Sequence, residues 1–213
     1  MTNEERISHA LDRIQRERAT LYSQFEGLSQ AQLDFKPSRD SWSVGEVAHH
    51  VGLAEKMLQD NVRELLQAGE GRRRVTRKVT FRDLPMKPRI IPGLLLEMEP
   101  LLLSFSIMNT FVPRPLQSFF LANSIFRIKT APALEPTAGM PREELLRYLH
   151  DLRDATLKLL EPAKSKDLSR YRWRHPLMGT HDIYGTLELM ANHDQRHRLQ
   201  MEEIQKSSDF PAS

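Results

Sequence analysis

A chain of 213 residues and 24.7 kDa suits one domain and is long enough to bury a hydrophobic core without staples. It has no cysteine, which excludes a disulfide framework, a zinc ribbon and a cysteine nucleophile, and agrees with a reducing, cytoplasmic setting. The net charge of +3 is small for this length, and no nucleic-acid motif accompanies it, so a nucleic-acid partner is not expected.

The first residues, Met1 to Arg6, are polar and acidic, and no apolar run follows that reads as a secretory signal. Ile7, Leu11, Ile14, Leu21 and Phe25 then draw one apolar stripe at helical spacing. A helix is predicted from about Asn3 to Gly27, with Gly27 as its stop signal. After a polar linker containing Pro37, Ser41 offers a capping hydroxyl, and a second helix is predicted from about Ser43 to Ala68, before Gly69.

Basic charge gathers at Arg72-Arg73-Arg74, Arg77 and Lys78. Such a run suits an anionic surface, but a solvated loop between helices is the plainer reading. A long insertion, about 71–139, is rich in proline, leucine and phenylalanine. Loops beyond roughly 15 residues without structure are uncommon in compact domains, so short helices are expected near Pro92–Asn109 and Pro115–Arg127. The most apolar stretch, Ile90 to Thr110, is broken by Pro92-Gly93 and Pro100 and carries Glu97 and Glu99, so it is not expected to span a membrane.

A third helix is predicted to begin at Pro141, with Glu143 and Glu144 complementing its dipole. Leu145, Leu149, Leu152, Thr156 and Leu159 line its inner face, and Pro162 ends it. The basic segment Arg170-Tyr171-Arg172-Trp173-Arg174 follows; it reads as structural, with contact to an anionic substrate as the alternative. A fourth helix is predicted from about Asp182 to Lys206. No strand is strongly signalled. The expected fold is all-α: a four-helix bundle with a long, partly helical insertion between the second and third bundle helices, in one domain.

His193 and His197 lie four residues apart on the fourth helix, so both imidazoles project from one side. Thr186, Leu189, Met190, Gln200, Met201 and Ile204 share that arc, so the pair faces the core. On the second helix His50 shares an arc with Val47, Ala54, Met57 and Leu65, whereas His49 points away from it. Three inward imidazoles suit zinc, nickel, copper or iron and leave coordination positions for water or substrate. Hydrogen-bonded core histidines are the other reading of the same pattern. Position 194 is Asp, so the His-Glu-x-x-His metalloprotease motif is absent.

Trp42-Ser43-Val44-Gly45-Glu46-Val47-Ala48-His49-His50-Val51 resembles the second-helix signature of the DinB-like (YfiT-like) superfamily of metal-dependent enzymes. There a tryptophan near the helix start precedes a metal-binding histidine by eight residues, as Trp42 precedes His50. His193-Asp194-Gln195-Arg196-His197, followed by Gln200, is similar to the family's last-helix motif, and His175-Pro176-Leu177-Met178-Gly179 to its approach. The insertion is longer than the family's usual connection, so its role as lid, dimer interface or core extension is not carried over.

The resemblance implies a metal-binding four-helix bundle, expected as a homodimer, with His50, His193 and His197 as ligands. It also implies a hydrolase or thiol transferase acting on a small molecule, with zinc or nickel, or iron, as the metal. Any thiol must then be an external low-molecular-weight one, since the chain has no cysteine. Glu46, one turn before His50, and Asp194, beside His193, are the candidate catalytic carboxylates. A cap or structural salt bridge explains each equally well, and no general base is assigned. Two other readings stand beside this one: a non-catalytic stress-response or binding protein of the same fold, and a membrane-surface protein using the apolar insertion.

Overall fold

The computed structural model describes residues 2–69, 75–78, 132–175 and 179–212. These residues form five α-helices and a small three-stranded sheet. The helices are α1 (Asn3–Tyr22), α2 (Gln30–Asp34), α3 (Val44–Ala68), α4 (Arg142–Leu160) and α5 (Ile183–Gln205). The strands are β1 (Val75–Lys78), β2 (Tyr171–His175) and β3 (Gly179–Asp182). The short helices expected within the insertion lie outside the described residues. No helix among the described residues is long and apolar enough to cross a membrane.

Local chemistry explains the helix ends. Ser43 caps α3, its hydroxyl accepting the Glu46 N–H while Glu46 Oε2 accepts the Ser43 N–H at 2.8 Å. The expected cap, Ser41, pairs with the Ser38 hydroxyl instead, 2.6 Å away. Asp182 caps α5 by accepting the Gly185 N–H at 2.7 Å. α4 follows Pro141 and gives way to a 3-10 turn that contains Pro162. α1 stops five residues before Gly27, because the backbone bonds of Gln24 and Phe25 shift to carbonyls three residues back. Phe25 nonetheless continues the buried stripe. On α4 it is Leu160, not Leu159, that is buried, and on α3 Met57 is exposed rather than inward.

The sheet corrects the expectation of a purely helical chain. β1 runs parallel to β2, pairing Thr76 with Arg172, and β2 runs antiparallel to β3, pairing Trp173 with His181. β2 reads Tyr-Arg-Trp-Arg-His, an alternation that sends Trp173 to the buried side. Its indole donates to Thr186 Oγ1 at 2.8 Å, which ties the sheet to the first turns of α5.

α1 packs chiefly on α5, while α3 packs on both α5 and α4. The interior holds two apolar clusters. One gathers Ile7, Leu11, Ile14, Leu58, Val62 and Trp173, and the other Leu21, Phe25, Val47, Val51, Leu149 and Met201. Between these halves, along each helix, lies a buried polar layer. Arg18 follows Ile14 and precedes Leu21 on α1; Glu55 and Gln59 sit on α3, Thr156 on α4 and Asp194 on α5. Arg18 binds Asp194 with two nitrogens, at 2.8 and 3.0 Å, and its Nη1 lies 2.7 Å from Glu55 Oε2. Glu55 Oε1 accepts the Thr156 hydroxyl at 2.7 Å, and Gln59 donates to Thr156 at 2.8 Å. Buried charges persist only when paired, and this chain of contacts pairs them across α1, α3, α4 and α5.

Candidate metal centre

Three imidazoles converge beside that polar layer. α3 supplies His50 and α5 supplies His193 and His197; one ring nitrogen from each lies within 4.8 Å of the other two. Ring centroids are 5.2 Å apart for His50 and His193, 4.8 Å for His50 and His197, and 4.4 Å for His193 and His197. His50 and His197 are buried and His193 is partly buried. The sequence arc for these three residues corresponds to where they stand.

The hydrogen bonds set the state of two rings. His50 Nδ1 lies 2.8 Å from the Leu134 carbonyl oxygen, which only accepts, so Nδ1 carries the proton and Nε2 keeps its lone pair. His197 Nδ1 lies 2.8 Å from Gln200 Oε1, with the same consequence. Burial lowers the pKa of all three. For His50 the bond to Leu134 partly opposes it. His193 falls well below its ordinary value, with burial first and the neighbouring His197 and His50 adding to it. His197 is lowered to about 3 by burial and by His50, against the pull of Gln200. All three are therefore neutral at pH 7, the state a cation needs.

A model of the DinB superfamily matches residues 13–201. The chain belongs to the DinB superfamily. No curated protein and no solved structure matches it. The match runs from within α1 to within α5 and so includes all three histidines. Superfamily membership and the histidine cluster together fit a metal-dependent enzyme family. The donor set fits as well: three neutral nitrogens, two with fixed tautomers, are borderline ligands for a divalent first-row ion.

The other DinB signature residues have distinct places. The Trp42 ring packs on His50, with centroids 4.7 Å apart. Glu46 does not orient an imidazole; its oxygens accept from the Ser43 N–H at 2.8 Å and from Lys36 Nζ at 2.7 Å, so it is a cap and an ion pair. Asp194 is turned to Arg18 of α1, so the structural salt bridge of the two readings is the one present. Burial disfavours the Arg18 charge, but Asp194 and Glu55 outweigh that and hold it protonated above its ordinary value. His49 is buried away from the cluster, accepting the Thr137 N–H at 2.9 Å and meeting Tyr148 edge-on at 5.6 Å.

Reading the sequence alone overlooked Arg18, although its position was a signal: an arginine four residues after Ile14, on an otherwise apolar stripe. The Leu134 carbonyl had no signal at all, since every residue has one.

Proposed function

We propose that this chain holds one divalent metal ion, zinc or nickel by preference and iron as a further fit, through His50, His193 and His197. We propose further that it is a metal-dependent enzyme acting on a small molecule, by hydrolysis or by transfer of an external thiol. The observation that carries this reading is the state of the rings: neutral, close together, and with Nδ1 of His50 and of His197 already engaged by acceptors. A core histidine with only a packing role needs no such convergence. The same reading takes α1, α3, α4 and α5 as the four helices of a bundle, supported by the packing of α1 on α5 and of α3 on both α4 and α5.

A metal held by three imidazoles lowers the pKa of a bound water or thiol, supplying a nucleophile at neutral pH. The chain's own part is to hold and orient. Leu134 and Gln200 fix the tautomers of His50 and His197, which sets the direction of each lone pair. Trp42 packs against His50 with its ring tilted by 45°, which helps to hold the imidazole in place. Glu46 and Asp194, the carboxylates nearest in sequence, are engaged by Lys36 and Arg18, so neither is assigned as a base.

Elemental analysis of untagged protein, beside His50→Ala and His193→Ala, tests the reading. A single zinc, nickel or iron per chain, lost in both variants, is expected. A wild type that contains no metal and takes up none from added Zn2+ or Ni2+ overturns it.

A further inference from the structure

Two adjacent histidines of α3 grip one short stretch of chain. His50 donates from Nδ1 to the Leu134 carbonyl at 2.8 Å, and His49 accepts the Thr137 N–H at its own Nδ1, 2.9 Å away. These bonds join residues 84 and 88 positions apart, so local helix geometry does not produce them. Adjacent helical residues point about 100° apart. The two rings therefore reach the stretch from different directions, one as donor and the other as acceptor. Leu134 closes a 3-10 turn, Pro132–Leu134, and Thr137 lies in irregular chain beyond it. Ala133, Glu135 and Thr137 are exposed and Leu134 and Pro136 are half-buried, so none of residues 133–137 is fully buried. Tyr148 of α4 braces His49 from behind, edge-on at 5.6 Å.

We infer that His49 and the segment Pro132–Thr137 are positioning elements of the metal centre, and that metal loading and docking of this segment stabilise each other. The inference rests on the reading of His50 as a ligand. A ligating imidazole needs its far nitrogen protonated and held; here the Leu134 carbonyl does both. His49 makes no contact with the other two histidines of the cluster; it acts on His50 through Thr137, keeping the carbonyl in reach. Hydrogen-bond partners of ligating histidines typically change metal affinity by roughly 10–100-fold. By reciprocity, whatever factor docking adds to metal affinity, the metal adds to docking.

The test uses the full chain with Zn2+ as the probe. Zinc affinity is measured by chelator competition for wild type, His49→Ala and Thr137→Pro, the last removing the N–H that His49 accepts together with an exposed threonine side chain. Hydrogen exchange at the Thr137 amide is followed in the wild type with and without zinc. The expected result is about a 10-fold loss of zinc affinity in both variants, with helical content unchanged, and slower Thr137 exchange when zinc is bound. A merely structural role for His49 leaves Thr137 exchange indifferent to zinc. If His49→Ala does not fold, Thr137→Pro carries the affinity arm, because its change is at an exposed residue. Zinc binding of wild-type strength in the variants, or exchange unaffected by zinc, overturns the linkage alone. Failure of the wild type to bind zinc at all overturns the ligand reading, and the inference with it.

Discussion

Arg18 and Asp194 meet in the interior through two parallel bonds, Nε to Oδ2 at 2.8 Å and Nη2 to Oδ1 at 3.0 Å. Asp194 is the residue next to His193, and Arg18 stands on α1, so the pair ties the helix that carries His193 and His197 to the first helix of the chain. The third guanidinium nitrogen lies against Glu55 of α3. One cation thus joins three helices at the level of the histidine cluster.

Arg18→Met is expected to lower the free energy of unfolding by about 3–5 kcal/mol, because it leaves two buried carboxylates without their cation. Arg18→Lys should recover only part of that, since an ammonium does not reproduce the two-pronged geometry. Urea unfolding followed by circular dichroism measures both. A loss below about 1 kcal/mol in Arg18→Met, the range of exposed pairs, would sink the idea that the layer braces the core.

Zinc at a hundred times its dissociation constant is expected to add about 2.7 kcal/mol to the stability of the wild type, as any ligand of the folded state does. His197→Ala should show none of this gain. The comparison needs only unfolding curves with zinc and with chelator. An equal gain in His197→Ala would mean that zinc binds elsewhere.

The metal-free protein should lose stability as the pH falls below 6.5. His197 has a folded pKa of about 3 against an ordinary value of 6.5, and His193 and His50 are lowered in the same direction. Between those values the three histidines bind more protons in the unfolded chain than in the folded one, so acid favours unfolding, by about 1.4 kcal/mol per pH unit for one such group in mid-window. Burial raises the Asp194 carboxyl from 3.8 to about 6, which offsets part of this within that narrower range. The slope fades only about one unit above 6.5, where the rings are neutral in both states. Unfolding curves in chelator at pH 7, 6 and 5 check this, and His197→Gln should flatten the profile. A profile that is flat in the wild type speaks against buried neutral rings.

Glu46 belongs to the α3 cap, so Glu46→Ala should destabilise the fold and leave zinc affinity near the wild-type value. Ser43→Ala, which removes the other half of the cap, should cost about 1 kcal/mol. Loss of zinc binding in Glu46→Ala would return this carboxylate to the site.

Gly52 sits where α3 meets α4. A Cβ there overlaps the Tyr148 ring and falls 3.0 Å from Leu149 Cδ2 and 3.2 Å from Leu152 Cδ1. Alanine in a helix ordinarily gains about 0.5–1 kcal/mol over glycine. Here overpacking, about 1–3 kcal/mol, should reverse the sign, because the Tyr148 ring and the two buried leucines would all have to shift. Equal or greater stability of Gly52→Ala, read from its denaturation midpoint, would contradict this.

Much of the helical framework was legible in the chain itself. The helix expected from about Asp182 to Lys206 is α5, Ile183–Gln205, and the stripe Ile7, Leu11, Ile14, Leu21 and Phe25 is buried throughout. The convergence of His50 with His193 and His197 followed from two helical arcs. Arcs are coarser than contacts, however. Met57 shares the arc assigned to His50 and is 37% exposed, because the face α3 buries depends on where α4 and α5 lie. The sheet escaped notice because its strands are four or five residues long, and its alternation in β2 was masked by arginines.

The sequence by itself determined much of what is local: the approximate extents of α3, α4 and α5 and the apolar stripe of α1, since helical periodicity acts within a few residues. It also determined which side chains could ligate a metal, since residue type sets donor chemistry. Only the tertiary structure decided that Arg18 answers Asp194, that Glu46 is taken up by Lys36, and that His50 finds the Leu134 carbonyl. Each of those outcomes joins residues on different elements. In the last the acceptor is a backbone group, which no residue identity announces.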